Sequence, residues 1–105
     1  MTSQELRNAK AQLLTNINNY INQCNNLCTK MNTVNNCFSN STDTIINNEM
    51  LESGTKITEK LNDTINEINA KKNAAIQLID AEIQRLEIYE RQQLEKQKEK
   101  QQEGE

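Results

Sequence analysis

The chain has 105 residues, a formal net charge of −3, 34% hydrophobic residues and only 3% aromatic ones. A chain this short and polar can form one small domain at most and cannot bury a large core. It contains no histidine, so neither a Ser-His-Asp nor a Cys-His catalytic set can be built. Dense basic clusters and stacking aromatic residues, which are typical of nucleic-acid surfaces, are also missing. We therefore expect no enzyme, no cofactor and no nucleic-acid partner.

Hydropathy gives no sign of a membrane protein or of a signal peptide. No apolar run approaches the roughly 18 residues that a membrane span needs, and the N-terminus "MTSQELRNAK" lacks an apolar segment. We expect no membrane insertion and a cytoplasmic location, with any export following a route that needs no signal peptide. Proline is absent, which removes the strongest helix breaker and favours an all-α fold.

The first predicted helix runs from about residue 3 to residue 38. Thr2 and Glu5 have the spacing of a capping box, which satisfies free amide groups in a first helical turn. Apolar residues then recur in alternating steps of four and three, which places them on one helical face: Leu13, Ile17, Tyr20, Cys24, Leu27, Met31, Val34 and Phe38. Leu14, Ile21 and Cys28 widen this stripe on one side. The other faces are rich in asparagine, a poor helix former, so packing of the stripe must hold the helix.

Residues 39–54 are predicted to form a bend. The small polar residues "SNSTDT" at 39–44 favour turns and caps because their side chains compete for backbone hydrogen bonds. Gly54 then offers the glycine that commonly ends a helix. Leu51 and Gly54 are therefore the predicted bend residues.

The second predicted helix runs from about residue 55 to residue 94. Its apolar stripe follows the same kind of spacing: Ile57, Leu61, Ile65, Ile68, Lys72, Ile76, Ile79, Ile83 and Leu86. Two consecutive steps of four around Lys72 form a stutter, which locally unwinds a coiled coil. Residues 95–105 are polar on all sides and are predicted to be a frayed helix end or a disordered tail.

These elements predict a two-helix antiparallel hairpin of coiled-coil type, spanning residues 1–94. A continuous rod that pairs in parallel with a second copy is the alternative, and the turn chemistry at 39–44 and at Gly54 favours the hairpin. Two helices cover only part of each stripe, so we expect the hairpin to complete a four-helix assembly with a partner, identical or not. The residues expected to stay uncovered are Leu14, Ile21, Cys28, Leu78, Ile88 and Tyr89.

Three cysteines, Cys24, Cys28 and Cys37, cannot form a closed set of disulfides because their number is odd. Cys24 and Cys28 lie four residues apart on one helical face, and a metal site would need two further ligands. A redox or metal-binding role for this pair remains an alternative. We interpret both as small hydrophobic residues of the helical stripe.

The segment "EMLESGTK" carries a resemblance to a known family. An apolar residue, Leu51, stands close to Gly54 at the predicted bend between two helices, in a chain of about a hundred residues. This arrangement resembles the Trp-Xaa-Gly helical hairpin superfamily of Gram-positive type VII secretion. It is most similar to the small helical partner proteins of LXG toxins. The family's export signature, a tyrosine followed by an acidic residue four positions later, is absent. The residue four positions after Tyr20 is Cys24, and the residue four positions after Tyr89 is Gln93.

The resemblance implies a non-enzymatic adaptor or targeting partner that binds another helical protein, such as the N-terminal domain of a type VII secreted toxin, and leaves the cell with it. The alternative is a self-associating structural coiled-coil subunit of a cytoplasmic complex, which would be a homodimer. For either function we predict packing and interface roles for ten residues of the two stripes: Leu13, Ile17, Tyr20, Leu27, Met31, Leu61, Ile68, Ile76, Ile79 and Ile83.

Overall fold

The computed structural model describes residues 1–39 and 44–103, which form two long helices. Helix α1 spans Ser3–Ser39 and helix α2 spans Thr44–Glu103. The predicted fold class, an all-α helical hairpin, is confirmed. The assembly with a partner stays a prediction.

The start of α1 follows from the sequence signal at Thr2. The backbone N–H of Glu5 donates to Thr2 Oγ1 at 3.1 Å, and the N–H of Leu6 donates to the Thr2 carbonyl at 3.1 Å. These two bonds satisfy amide groups that have no partner inside the helix. The helix then continues to Ser39, one residue beyond the expected end.

The predicted bend at Leu51 and Gly54 is wrong, because both residues lie inside α2. Gly54 has no left-handed backbone conformation and is buried. Of the predicted bend segment, residues 44–54 are helical and residues 40–43 lie outside the described residues. A glycine that ends a helix needs a left-handed backbone conformation. Gly54 instead provides space for the opposite helix, as shown below.

The predicted tail is also shorter than expected, since α2 continues to Glu103. Residues 95–103 consist of glutamate, lysine and glutamine only. These three polar residue types are good helix formers, so the helix needs no apolar face to continue. Residues 104 and 105 lie outside the described residues.

The chain divides into two compact units, and each helix contributes to both. Unit 1 comprises Met1–Leu14 and the described part of Asn73–Glu105, and unit 2 is Thr15–Lys72. In unit 1, Ser3 contacts Glu90 and Lys10 contacts Asp80. Later positions on α1 thus meet earlier positions on α2, which makes the pair antiparallel.

Unit 2 is an antiparallel pair by the same criterion. Cys28 contacts Asn62, and Asn35, further along α1, lies against Gly54, which is earlier on α2.

We call the facing row of buried and half-buried positions on each helix its seam. On α1 the seam consists of Ser3, Leu6, Lys10, Leu14, Ile17, Ile21, Cys24, Cys28, Met31 and Asn35.

The α1 seam corrects the expected division of the apolar stripe. Leu14, Ile21 and Cys28 were expected to stay uncovered, but they are half-buried in the seam. The members that precede these three residues and the seam residue Asn35 by one position are exposed instead: Leu13, Tyr20, Leu27 and Val34. Both sets repeat every seven residues, so periodicity alone does not distinguish them.

On α2 the seam follows the predicted stripe more closely. It contains Leu61, Ile65, Ile68, Lys72, Ile76, Ile79, Ile83 and Leu86, and it extends towards the start of the helix through Asn47, Leu51, Gly54 and Thr58. Ile57 is the exception, with 47% of its surface exposed.

The border between the units coincides with a stutter in each seam. On α2 the steps from Ile68 to Lys72 and from Lys72 to Ile76 are both of four residues, and unit 2 ends at Lys72. On α1 the steps from Leu6 to Lys10 and from Lys10 to Leu14 are also of four, and unit 1 ends there at Leu14. A stutter of this kind locally unwinds a coiled coil, and both helices are continuous through it.

Burial is shallow throughout the described residues. Among them only two hydrophobic side chains are buried, Cys24 with 5% and Ile83 with 7% of their surface exposed. Eleven large hydrophobic residues are exposed. A pair of helices covers one side of each apolar stripe, so the remaining surface is available to another molecule.

Candidate interaction surface

The polar contacts of unit 1 hold the first turns of α1 against α2. The Ser3 N–H donates to Glu90 Oε1 at 2.7 Å, and the Ser3 hydroxyl donates to Glu90 Oε2 at 2.8 Å. Arg7 forms an ion pair with Glu87, and Lys10 Nζ donates to Asp80 Oδ1 at 2.7 Å. Charged and polar contacts therefore join the two helices in unit 1, beside the apolar residues of the seams.

Glu90 acts as a cap for α1 although it belongs to α2. The hydrogen bond from the Ser3 backbone lowers the pKa of the Glu90 carboxyl, and the Ser3 hydroxyl and the positive charge of Arg7 lower it further. The carboxylate also lies at the positive end of the α1 dipole, where negative charge is favourable. Sequence reasoning missed this residue because a cap supplied by another helix leaves no local pattern.

A groove of about 540 Å³ lies beside these contacts in unit 1. It is lined by Arg7, Lys10, Ala11, Leu14, Asp80, Ile83, Gln84 and Glu87. Its two carboxylates are both paired with cations, Glu87 with Arg7 and Asp80 with Lys10. These ion pairs account for the charges of the groove as contacts between the helices.

The Asn35 side chain lies against Gly54 where the two helices of unit 2 meet. A Cβ atom added at Gly54 would lie 2.8 Å from Asn35 Cγ and still closer to Oδ1. Asn35 Oδ1 is buried and accepts no hydrogen bond. Glycine at position 54 therefore makes room for the amide, and no other residue would do so without displacing it.

The predicted interface residues fall into two groups in the structure. Six are half-buried and one is buried, and all seven lie in the seams between α1 and α2: Ile17, Met31, Leu61, Ile68, Ile76, Ile79 and Ile83. The other three are exposed: Leu13, Tyr20 and Leu27. Their use by a partner stays a prediction, and the exposed group presents the larger surface to one.

The exposed apolar residues of unit 2 lie along one side of the helix pair. On each helix they stand one position before a seam residue: Tyr20 before Ile21, and Ile57 before Thr58. A twofold rotation axis perpendicular to the plane of the pair relates two antiparallel helices. Residues at the same place in the seven-residue repeat of each helix therefore lie on the same side of the pair. We call this side the apolar flank; its members and exposed fractions are Tyr20 53%, Leu27 49%, Val34 42%, Met50 46% and Ile57 47%.

The opposite side of unit 2 is lined by amides. Six residues that each stand one position after a seam residue lie on that side, five asparagines and one threonine: Asn18, Asn25, Asn32, Thr55, Asn62 and Asn69. The Cys28 thiol donates to Asn62 Oδ1 at 3.9 Å across the seam. Unit 2 therefore has one apolar and one amide side, and only the apolar side gains by being covered.

The cysteines are free thiols in different environments. Cys24 is buried in the α1 seam, Cys28 is half-buried and Cys37 is exposed. Within the described ranges no three His, Cys, Asp or Glu side chains are grouped so that they could hold a metal ion. The same ranges contain no helix with both the length and the apolar character that a membrane span requires.

Comparisons of the chain with protein-family models, curated proteins and solved structures found no match.

Proposed function

We propose that this chain is a non-enzymatic adaptor that binds another helical protein through the apolar flank of unit 2. The observation that supports the proposal is the flank itself. Five large apolar side chains, each with 42–53% of its surface exposed, lie on one side of the helix pair. Burying surface of this kind against a partner is favourable by about 25 cal/mol per Å².

The geometry of the flank suits a helical partner. Tyr20 and Val34 are separated by four helical turns on α1, a distance of about 21 Å at 1.5 Å per residue. An amphipathic helix laid beside α1 and α2 would cover this length and give each of them a second apolar neighbour. The product is a helical bundle of the kind in which side chains from all helices share one core.

We further propose that the partner is the helical N-terminal part of a larger exported protein, such as a type VII secreted toxin. The resemblance of "EMLESGTK" to the hairpin superfamily supports this, although Gly54 does not form the bend. In this function the chain covers the partner's apolar helical face until both are delivered.

Co-purification from the native host tests the proposal, with tagged wild-type chain compared with a Leu27→Gln/Ile57→Gln variant. We expect the wild-type chain to retain a helical partner, identified by mass spectrometry and rebound after separate purification, and the variant to lose it. Circular dichroism must show equal helicity in both. A stable homodimer with no other protein bound would instead identify the chain as a self-associating coiled-coil subunit.

A further inference from the structure

The charges at the borders of the apolar flank bear on what kind of helix it binds. Lys30 lies three residues after Leu27, and Lys60 lies three residues after Ile57. Residues three apart are neighbours on a helix surface. The seam lies on the other side of each flank residue: Met31 stands four residues after Leu27, and Leu61 stands four residues after Ile57. Each lysine therefore stands on the outer border of the flank, one on α1 and one on α2.

Both lysines are exposed, and neither pairs with a carboxylate in the part of the chain that the structure describes. The neighbouring lysines differ in this respect. Lys56 pairs with Glu52 at 3.3 Å, and Lys71 pairs with Glu67 at 3.0 Å. The flank thus has two borders whose positive charge is not neutralised.

We propose that the apolar flank binds an amphipathic helix whose apolar stripe is bordered on both sides by aspartate or glutamate. This inference rests on the proposed function and adds the charge pattern of the partner. Acidic borders would meet Lys30 on one side and Lys60 on the other, while the apolar stripe covers Leu27 and Ile57. Complementary charges of this kind select the partner and accelerate association.

The same pattern disfavours a second copy of this chain as the occupant. The flank of a second copy has lysines on both borders, so two flanks placed face to face bring positive charges together. Like charges at an interface reduce affinity for the wrong partner. A homodimer through this face lacks the complementarity that an acidic helix provides.

Two synthetic helices test the inference, with identical leucine stripes and with either glutamate or lysine at every border position. Fluorescence anisotropy of labelled peptides at low ionic strength measures binding to the full chain. We expect the glutamate-bordered helix to bind at least tenfold more tightly, with the preference falling as salt is added. A Lys30→Glu/Lys60→Glu variant should prefer the lysine-bordered helix.

A Lys96→Glu/Lys98→Glu variant is the matched control, since it changes the charge equally outside unit 2. It should keep the wild-type preference, and all variants should keep wild-type helicity. Equal affinity for both peptides, binding of neither, or a homodimer that depends on Leu27 would overturn the inference. In that case, loss of a host partner by the Leu27→Gln/Ile57→Gln variant would still support the proposed function, and only the acidic borders of the partner helix would be rejected.

Discussion

At the scale of single residues, two contacts join the helices. Glu90 caps α1 from the opposite helix, and Asn35 lies against Gly54. In each case a residue depends on a partner far away in the sequence. Their energetic roles can be tested separately, because one involves a titrating carboxylate and the other involves only shape.

The Gly54→Ala substitution should have opposite effects in two backgrounds. Alanine is a better helix former than glycine by about 1 kcal/mol, but its methyl group would displace the Asn35 amide, and such overpacking costs about 1–3 kcal/mol. We expect urea denaturation to show a net loss of about 1 kcal/mol in the wild-type background and a gain in an Asn35→Ala background.

Ser53→Ala is the control for this pair, since Ser53 is exposed beside Gly54. It should change stability by about 0.5 kcal/mol or less in either background. Equal effects of Gly54→Ala with and without Asn35→Ala would show that the amide does not limit the space at this position.

Glu90 should make the hairpin sensitive to acid. Its pKa is lowered from the ordinary value of 4.5 on folding, so its stabilising effect is complete above 4.5 and is lost as the pH falls through the lower folded value. We expect wild-type stability to decline over this range more steeply than that of Glu90→Gln. Hydrogen exchange of the first α1 amides should accelerate in the same range.

Glu82→Gln provides a comparison with the same change in charge. The Glu82 carboxyl also has a lowered pKa, caused by its hydrogen bond from Arg85 three residues later on the same helix. Loss of that contact should leave exchange at the start of α1 unchanged. If both variants accelerated exchange there equally, Glu90 would have no special capping role.

At the scale of elements, the α1 helix has two apolar rows that lie one residue apart. The seam contains Ile21 and Cys24, and the apolar flank contains Tyr20 and Leu27. Both rows have the seven-residue repeat of a coiled coil. The first row is used inside the hairpin, and the second remains accessible.

Alanine substitutions should separate the two rows in the isolated chain. Ile21→Ala removes half-buried side-chain atoms from the seam and should cost about 1–2 kcal/mol of unfolding free energy. Leu27→Ala removes largely exposed atoms and should cost about 0.5 kcal/mol or less. Chemical denaturation followed by circular dichroism measures both. A larger loss for Leu27→Ala would place the row that contains it in the seam.

At the scale of the whole molecule, the described residues form two units that each bury little. The hydrophobic effect scales with the apolar area removed from water, and 42–53% of the surface of each flank residue still faces solvent. The stability of the chain should therefore respond to whatever covers the apolar flank.

Addition of a helix that binds the flank should raise the unfolding free energy of the chain. At a concentration one hundred times the Kd, the gain is about 2.7 kcal/mol. Thermal unfolding of the full chain with the glutamate-bordered helix measures the effect. The Leu27→Gln/Ile57→Gln variant should unfold at the same temperature with and without the helix.

The sequence by itself determined the helical content, the start at Thr2, the stutter at Lys72 and most of the α2 seam. These features depend on local propensity and on the spacing of apolar residues along one helix. The first part of the α1 seam was not predicted, because two of its positions, Ser3 and Lys10, are polar and give no hydrophobic signal.

Only the tertiary structure decided which of the two adjacent apolar rows of α1 faces α2, and that Gly54 makes space for the Asn35 side chain. A glycine gives the same local signal whether it ends a helix or admits a neighbouring side chain. That choice depends on Asn35, which is brought against it by the antiparallel pairing of the helices. The cap supplied by Glu90 to Ser3 has the same origin, because residues distant in the chain meet only after the hairpin has formed.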